Sequence, residues 1–119
     1  MKTIIAGCRE IRHDTDAIDH VFAAVKASQF KITEVVSGGA RGVDKAGEFW
    51  AKINSVPVNR FVPLWAKYGN KAGPIRNREM ADYADALIAI WDGKSRGTHH
   101  MIECATNLGL KVYIYKITL

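Results

Sequence analysis

Residues 34–54 read EVVSGGARGVDKAGEFWAKIN. Glu34–Ser37 is a short apolar run of the kind that forms a buried strand. Glycines at 38, 39 and 42 interrupt it. From Gly42 to Asn54 the apolar residues Val43, Ala46, Trp50 and Ile53 recur at helical spacing. The segment therefore reads as a strand that passes through a glycine-rich turn directly into a helix.

The same alternation continues in both directions. Upstream, Thr3–Gly7 is an apolar run ending in glycine, and Asp14–Ser28 carries Ile18, Val21, Phe22 and Val25 on one helical face. Downstream, Val58–Val62 is a strand bounded by Pro57 and Pro63, and LWAKYGNKAG at 64–73 reads as a loop. A helix follows near Pro74–Tyr83, where proline suits the first turn. Ala86–Trp91 is a continuous apolar strand, Thr98–Leu108 a helix closed by Gly109, and Lys111–Ile117 the last strand. The pattern is βαβαβαβαβ, with no repeat and no linker. It predicts an α/β fold: one domain over 1–119, an open parallel five-stranded sheet of order 3-2-1-4-5, and helices on both faces. A crevice is expected between strands one and four, flanked by the loops that follow them, with the loop after strand two alongside.

The composition fits. The chain has 119 residues, 48% apolar and 24% charged, as expected of a globular domain with a proper core. A net charge of +5 suits an acidic ligand, nucleic acid included. No segment is apolar enough to span a membrane. The start, MKTIIAGC, looks superficially like a lipoprotein cleavage site, but its apolar run is too short for a signal peptide and reads as a buried strand. Cys8 and Cys104 show neither metal spacing nor a disulfide framework, so no metal is expected and a reducing cytoplasm is the default location.

Six of the seven arginines follow predicted strand ends: Arg9 and Arg12 after the first, Arg41 after the second, Arg76 and Arg78 after the third and Arg96 after the fourth. Three of these loops are also rich in glycine. Backbone amides, helix dipoles and guanidinium groups on one rim describe an anion pocket, most naturally for phosphate. From the first loop the candidate binding residues are Gly7, Cys8 and Arg9. From SGGARGVD they are Ser37, Gly38, Gly39, Arg41, Gly42 and Asp44. Gly38 and Gly39 would allow a ligand to approach the backbone, Gly42 the turn into the helix, and Asp44 would cap the helix or bond a ribose hydroxyl. From GPIRNREM they are Arg76 and Asn77. Arg78 points about 200° away from Arg76 on the helix and is left to the surface or to Glu79 and Asp82. From DGKSRGT they are Asp92, Gly93, Ser95, Arg96, Gly97 and Thr98, with Thr98 as helix cap and Lys94 as a further cation.

VVSGGARGVD, GPIRNREMADYADALIAIWDG and SRGTHHMIECA, in that order, resemble the SLOG superfamily of Rossmann-like proteins, and within it the YspA-like, YpsA-related branch. The resemblance covers nearly the whole chain. It implies binding of a nucleotide or nucleotide-derived ligand such as an ADP-ribose or NAD relative, with no required cofactor. It also implies relatives in bacteria and phages, and subunit association.

Two related families suggest different functions. The cytokinin-activating phosphoribohydrolases (LOG) are similar at Gly38, Gly39 and Gly42, at Arg76 and Met80, and at Gly97 and Thr98. Arg76 there resembles a catalytic arginine, which would make the chain a nucleotide N-glycosidase. Where that family has a glutamate three residues after the threonine, Met101 stands; Glu103 comes two later, and WDGKS replaces the family's PGG. An oxocarbenium-like transition state wants a nearby carboxylate, and Asp92 or Glu10 are candidates to substitute. The Rossmann domain of the DNA-processing protein of natural transformation is similar at Ser37–Asp44 and Arg76–Arg78. It implies single-stranded DNA binding, with Trp65, Tyr68 and Trp91 either stacking on bases or serving as core and rim aromatics.

Among the other residues, a nearby cation would lower the Cys8 thiol pKa if the residue acted chemically; otherwise it fills a small position. Cys104 and Trp50 read as core. His99 and His100 face about 100° apart and cannot form an i,i+4 metal pair; they read as surface residues, one of them a possible ligand contact.

Overall fold

A computed structural model of the chain describes residues 1–11 and 13–119. Arg12, one of the strand-end arginines, lies outside the described residues. The elements are β1 (Lys2–Gly7), α1 (Asp14–Ser28), β2 (Glu34–Ser37), α2 (Val43–Ile53), β3 (Val58–Arg60), α3 (Trp65–Tyr68), a 3-10 turn (Gly69–Lys71), α4 (Ala72–Tyr83), β4 (Ala86–Trp91), α5 (Arg96–Asn107) and β5 (Lys111–Lys116). Every neighbouring pair of strands is parallel, and the order is β3-β2-β1-β4-β5, as the alternation predicts. The fold is α/β and Rossmann-like.

Strand periodicity divides the core into two layers. Ile5, Val35, Ile88 and Ile90 face α1 and α2, where Ala17, Val21, Val43 and Ala51 cover them. Ile4, Ala6, Val36, Leu87 and Ala89 face α4 and α5, where Met80, Ala81, Met101 and Ala105 pack. The central strands β1 and β4 are buried on both faces, which is why they read as continuous apolar runs. Each fully buried isoleucine or leucine stabilises the fold by roughly 1.5–3 kcal/mol. Trp50 packs against the first layer, as its helical position suggested.

Departures from the sequence reading have local causes. The third strand ends at Arg60 rather than Val62, because β2 stops at Ser37 and leaves Val62 nothing to pair with; the last bond is from Phe61 N–H to the Ser37 carbonyl, 2.7 Å. The 64–73 loop is largely helical, comprising α3, the 3-10 turn and the start of α4, so Pro74 falls at the third helical position. The N–H that proline lacks is not required there, because the first four N–H groups of a helix have no intrahelical partner. The last helix begins at Arg96 with Ser95 as N-cap, so Thr98 is not the cap. Thr98 is buried instead, its hydroxyl 3.1 Å from that of Ser95.

Candidate functional site

A cleft of about 700 Å³ opens at the carboxyl ends of β1 and β4, where the strand order reverses direction. The loop after β1 supplies Gly7, Cys8, Arg9 and Glu10; the loop after β4 and the start of α5 supply Asp92, Lys94, Ser95, Arg96, Gly97 and Thr98. The start of α4 contributes Gly73, Pro74, Arg76, Asn77 and Met80, and α2 contributes Asp44.

Two buried side chains of opposite charge form the floor. Arg76 is 8% exposed and Asp44 6%. Nη1 of Arg76 donates to the Gly38 carbonyl at 2.7 Å and to that of Phe61 at 3.5 Å, and Nε donates to Asn77 Oδ1 at 3.1 Å. Burial lowers the Arg76 pKa against the attraction of Asp44. Asp44 Oδ2 accepts the Ala40 N–H at 3.1 Å. Burial pushes the Asp44 carboxyl up to about 6, opposed by the Ala40 amide and by Arg76 and Arg9. Asn77 continues the network: Nδ2 lies 3.1 Å from His100 Nδ1 and 3.4 Å from the Gly97 carbonyl, fastening α4 to α5. Burial, with help from Arg78, lowers the His100 pKa, so the neutral ring can accept this bond.

The rim carries exposed cations. Arg9, Lys94 and Arg96 have no ion-pair partner among the described residues. The cleft carboxylates are otherwise engaged. Glu10 pairs with Arg41 at 3.5 Å. Asp92 Oδ1 accepts the N–H groups of Ser95 (2.8 Å) and Lys94 (2.9 Å), which lowers its pKa and sets the turn into α5. Ser95 makes no side-chain cap bond, and the N–H groups of Arg96, Gly97 and Thr98 have no partner among the described residues. The helix therefore presents free donors and its positive dipole end beside Lys94 and Arg96, an arrangement suited to an anion.

Several residues expected from the sequence do not line this cleft. Ser37 is fully buried and donates to Glu48 Oε2 at 2.7 Å. Gly38 makes room for protein rather than ligand: a Cβ there would collide with the Arg76 guanidinium and come within 2.8 Å of Asp44 Oδ2. Gly39 lies beside the Arg60 side chain, and Gly93 beside that of Lys116. Gly42, with φ +79, lets the chain turn into α2 where a Cβ would meet the Cys8 carbonyl at 2.7 Å. Arg41 faces outward to Glu10 and a second depression. Cys8 lines the cleft but is 1% exposed, and burial raises its pKa, so no cation activates the thiol.

Three residues named above only through the related families also reach the cleft. Trp65, at 51% exposure, lines its mouth, and Met80 and Met101 give it apolar surface. The pair of exposed aromatics in the 64–73 segment was the available signal. Of the two histidines, His100 lines the cleft. His99 points away, 2.9 Å from Glu103 and stacked on Trp91. Cys104 is partly buried, packs against the second core layer as its helical position suggested, and also contacts His100. Arg78 is exposed, as its helical angle predicted. Among the described residues no cluster of side chains suits a metal ion, and no helix is long and apolar enough to cross a membrane.

Known proteins resemble this chain at the level of fold and sequence. The X-ray structure of DNA processing protein A (DprA) from Streptococcus pneumoniae matches with a TM-score of 0.75 at 20% identity, over 95% of this chain and 49% of that one. The likeness is one of fold, and the chain spans about half of that protein's length. The Gene 61 protein of Mycobacterium phage D29 is 32% identical over 118 residues, 93% of either chain. The model of the YspA, cpYpsA-related SLOG family matches residues 1–68. That match takes in β1, the glycine-rich turn and α2, more than half of the chain, and the phage protein extends the similarity to nearly all of it. The chain belongs to the YspA, cpYpsA-related SLOG family.

Proposed function

We propose that the protein binds a phosphate-bearing nucleotide or nucleotide-derived ligand, of ADP-ribose or NAD type, in the cleft between β1 and β4. It holds this ligand without turning it over, as a sensor or sequestering protein of the cytoplasm. The observation that carries the reading is the convergence of unpaired Arg9, Lys94 and Arg96 with the free N–H groups of α5 at one rim. Phosphate oxygens would satisfy donors that the protein leaves open. The cleft's volume lies within the roughly 300–1,000 Å³ of small-molecule sites.

Turnover lacks support. By the resemblance to the phosphoribohydrolases, Met101 stands where those proteins have a glutamate, and Glu103 turns outward to His99.

The test is calorimetric titration of ADP-ribose into the wild-type protein, Arg9→Ala and Arg96→Ala. Both residues are exposed, so the fold should survive their loss. A charge-assisted bond is worth roughly 1.5–3 kcal/mol, so each variant should bind tenfold or more weakly. Equal affinity in all three proteins would remove the rim from the site.

A further inference from the structure

α3 is a four-residue helix with no buried residue, so nothing in the packing of the fold calls for a large apolar side chain there. Yet it carries Trp65, half exposed, at the mouth of the cleft. The chain's other tryptophans are engaged elsewhere. Trp50 packs on the core, while Trp91 stacks on His99 and donates Nε1–H to the Ser95 carbonyl at 3.1 Å. Trp65 enters no aromatic pair and no cation–π contact among the described residues.

The surface next to it is apolar and accommodating. Pro74 and Met80 of α4 line the same cleft, and Gly73 lies beside the indole edge, where an added Cβ would make an ordinary van der Waals contact at 3.6 Å from Trp65 Cη2. The cleft therefore combines a cationic rim at α5 with an unpartnered aromatic face over the start of α4.

We infer that Trp65 forms a stacking subsite for a flat heteroaromatic ring, and that the ligand is an anion bearing a nucleobase rather than a sugar phosphate or inorganic phosphate alone. This rests on the function proposed above and narrows its ligand class. Stacking of a base on an aromatic side chain is favourable and tolerant of base identity.

The experiment compares wild type, Trp65→Ala and Trp65→Phe, titrated with ADP-ribose, with ribose 5-phosphate and with a single-stranded oligonucleotide. Calorimetry and intrinsic tryptophan fluorescence are read together, with urea midpoints as the check on folding. Expected results are a roughly 5- to 150-fold weaker ADP-ribose affinity in Trp65→Ala, recovery in Trp65→Phe, and an unchanged, weaker affinity for ribose 5-phosphate in all three. Binding of ADP-ribose should alter wild-type fluorescence, and the Trp65 variants should lose that response. If ADP-ribose binds wild type and Trp65→Ala equally, the stacking subsite is wrong while the nucleotide reading stands. If neither compound binds the wild-type protein, the nucleotide reading falls and this inference with it. If Trp65→Ala loses affinity only for a single-stranded oligonucleotide, the ring serves a polymer and the small-ligand assignment is overturned.

Discussion

Nη1 of Arg76 donates to the carbonyl oxygen of Gly38 at 2.7 Å, tying the start of α4 to the turn after β2. Asp44 attracts the same guanidinium, which is nearly closed off from solvent. An arginine that reads in the sequence as a ligand contact is thus also a structural post beneath the cleft. Removing Arg76 leaves the buried Gly38 carbonyl without its donor, a loss on the order of 1–3 kcal/mol, and takes away the cation that attracts buried Asp44. Arg76→Ala should lose that much stability in urea unfolding at neutral pH, a large part of the total for a domain of this size. The loss should shrink at about pH 5, where Asp44 takes up a proton. A destabilisation below about 1 kcal/mol at neutral pH would contradict this role. Because the variant weakens the fold, its binding defects alone say little about the ligand.

The fold was legible because its signals are redundant. Ile4 and Ile5 on β1, and Leu87 and Ile88 on β4, lie in runs apolar at every position, which only strands covered on both faces require. α3 was not legible: with no face buried, it has no apolar period to detect. The caps of α5 were misread because Ser95 and Thr98 are both hydroxyl residues three positions apart, and the sequence does not distinguish the residue outside the helix from the one within it. Gly38 and Gly39 were read as room for a ligand. A missing Cβ indicates that something comes close, but not what does: here it is Arg76 at one and Arg60 at the other.

That distinction has a consequence for Gly39→Val. Gly39 has φ +75, which a β-branched residue adopts only under strain, and its neighbour is the Arg60 side chain rather than the cleft. The substitution should lower the urea midpoint while leaving ADP-ribose affinity in the folded protein within about twofold. A selective loss of affinity at unchanged stability would restore Gly39 to the site.

Asp44 makes both stability and binding depend on pH. Its folded-state pKa of about 6 lies above the ordinary 3.8 because burial disfavours the carboxylate. Folding therefore takes up a proton between these values. The contribution is fully present below the unfolded pKa and is lost as pH rises through the folded one. Asp44→Asn stays neutral and keeps an oxygen for the Ala40 N–H. Relative to that variant, the wild type should lose stability on the order of a few kcal/mol between about pH 4 and 7. ADP-ribose carries a diphosphate that does not titrate near pH 6, so its affinity should fall as Asp44 ionises, and the Asp44→Asn variant should show no such fall. A pH-independent wild type would mean that the carboxyl titrates normally.

The last prediction separates a pocket ligand from a nucleic-acid strand. A ligand held at the α5 rim engages one or two phosphates, so its affinity should fall only mildly with salt. A single strand tracking Arg9, Lys94 and Arg96, and outward to Arg41, would neutralise several. Its affinity would then drop with a log–log slope of about −0.7 for each phosphate contacted. Oligonucleotide binding should be weak, strongly salt-sensitive and displaced by ADP-ribose, since Arg9, Lys94 and Arg96 border the same cleft that the ligand would fill. Fluorescence anisotropy of a labelled oligonucleotide at rising salt, with and without ADP-ribose, measures both effects. Tight binding at physiological salt, indifferent to every nucleotide added, would shift the function from the cleft to the surface around it and favour a DNA-binding role over the one proposed.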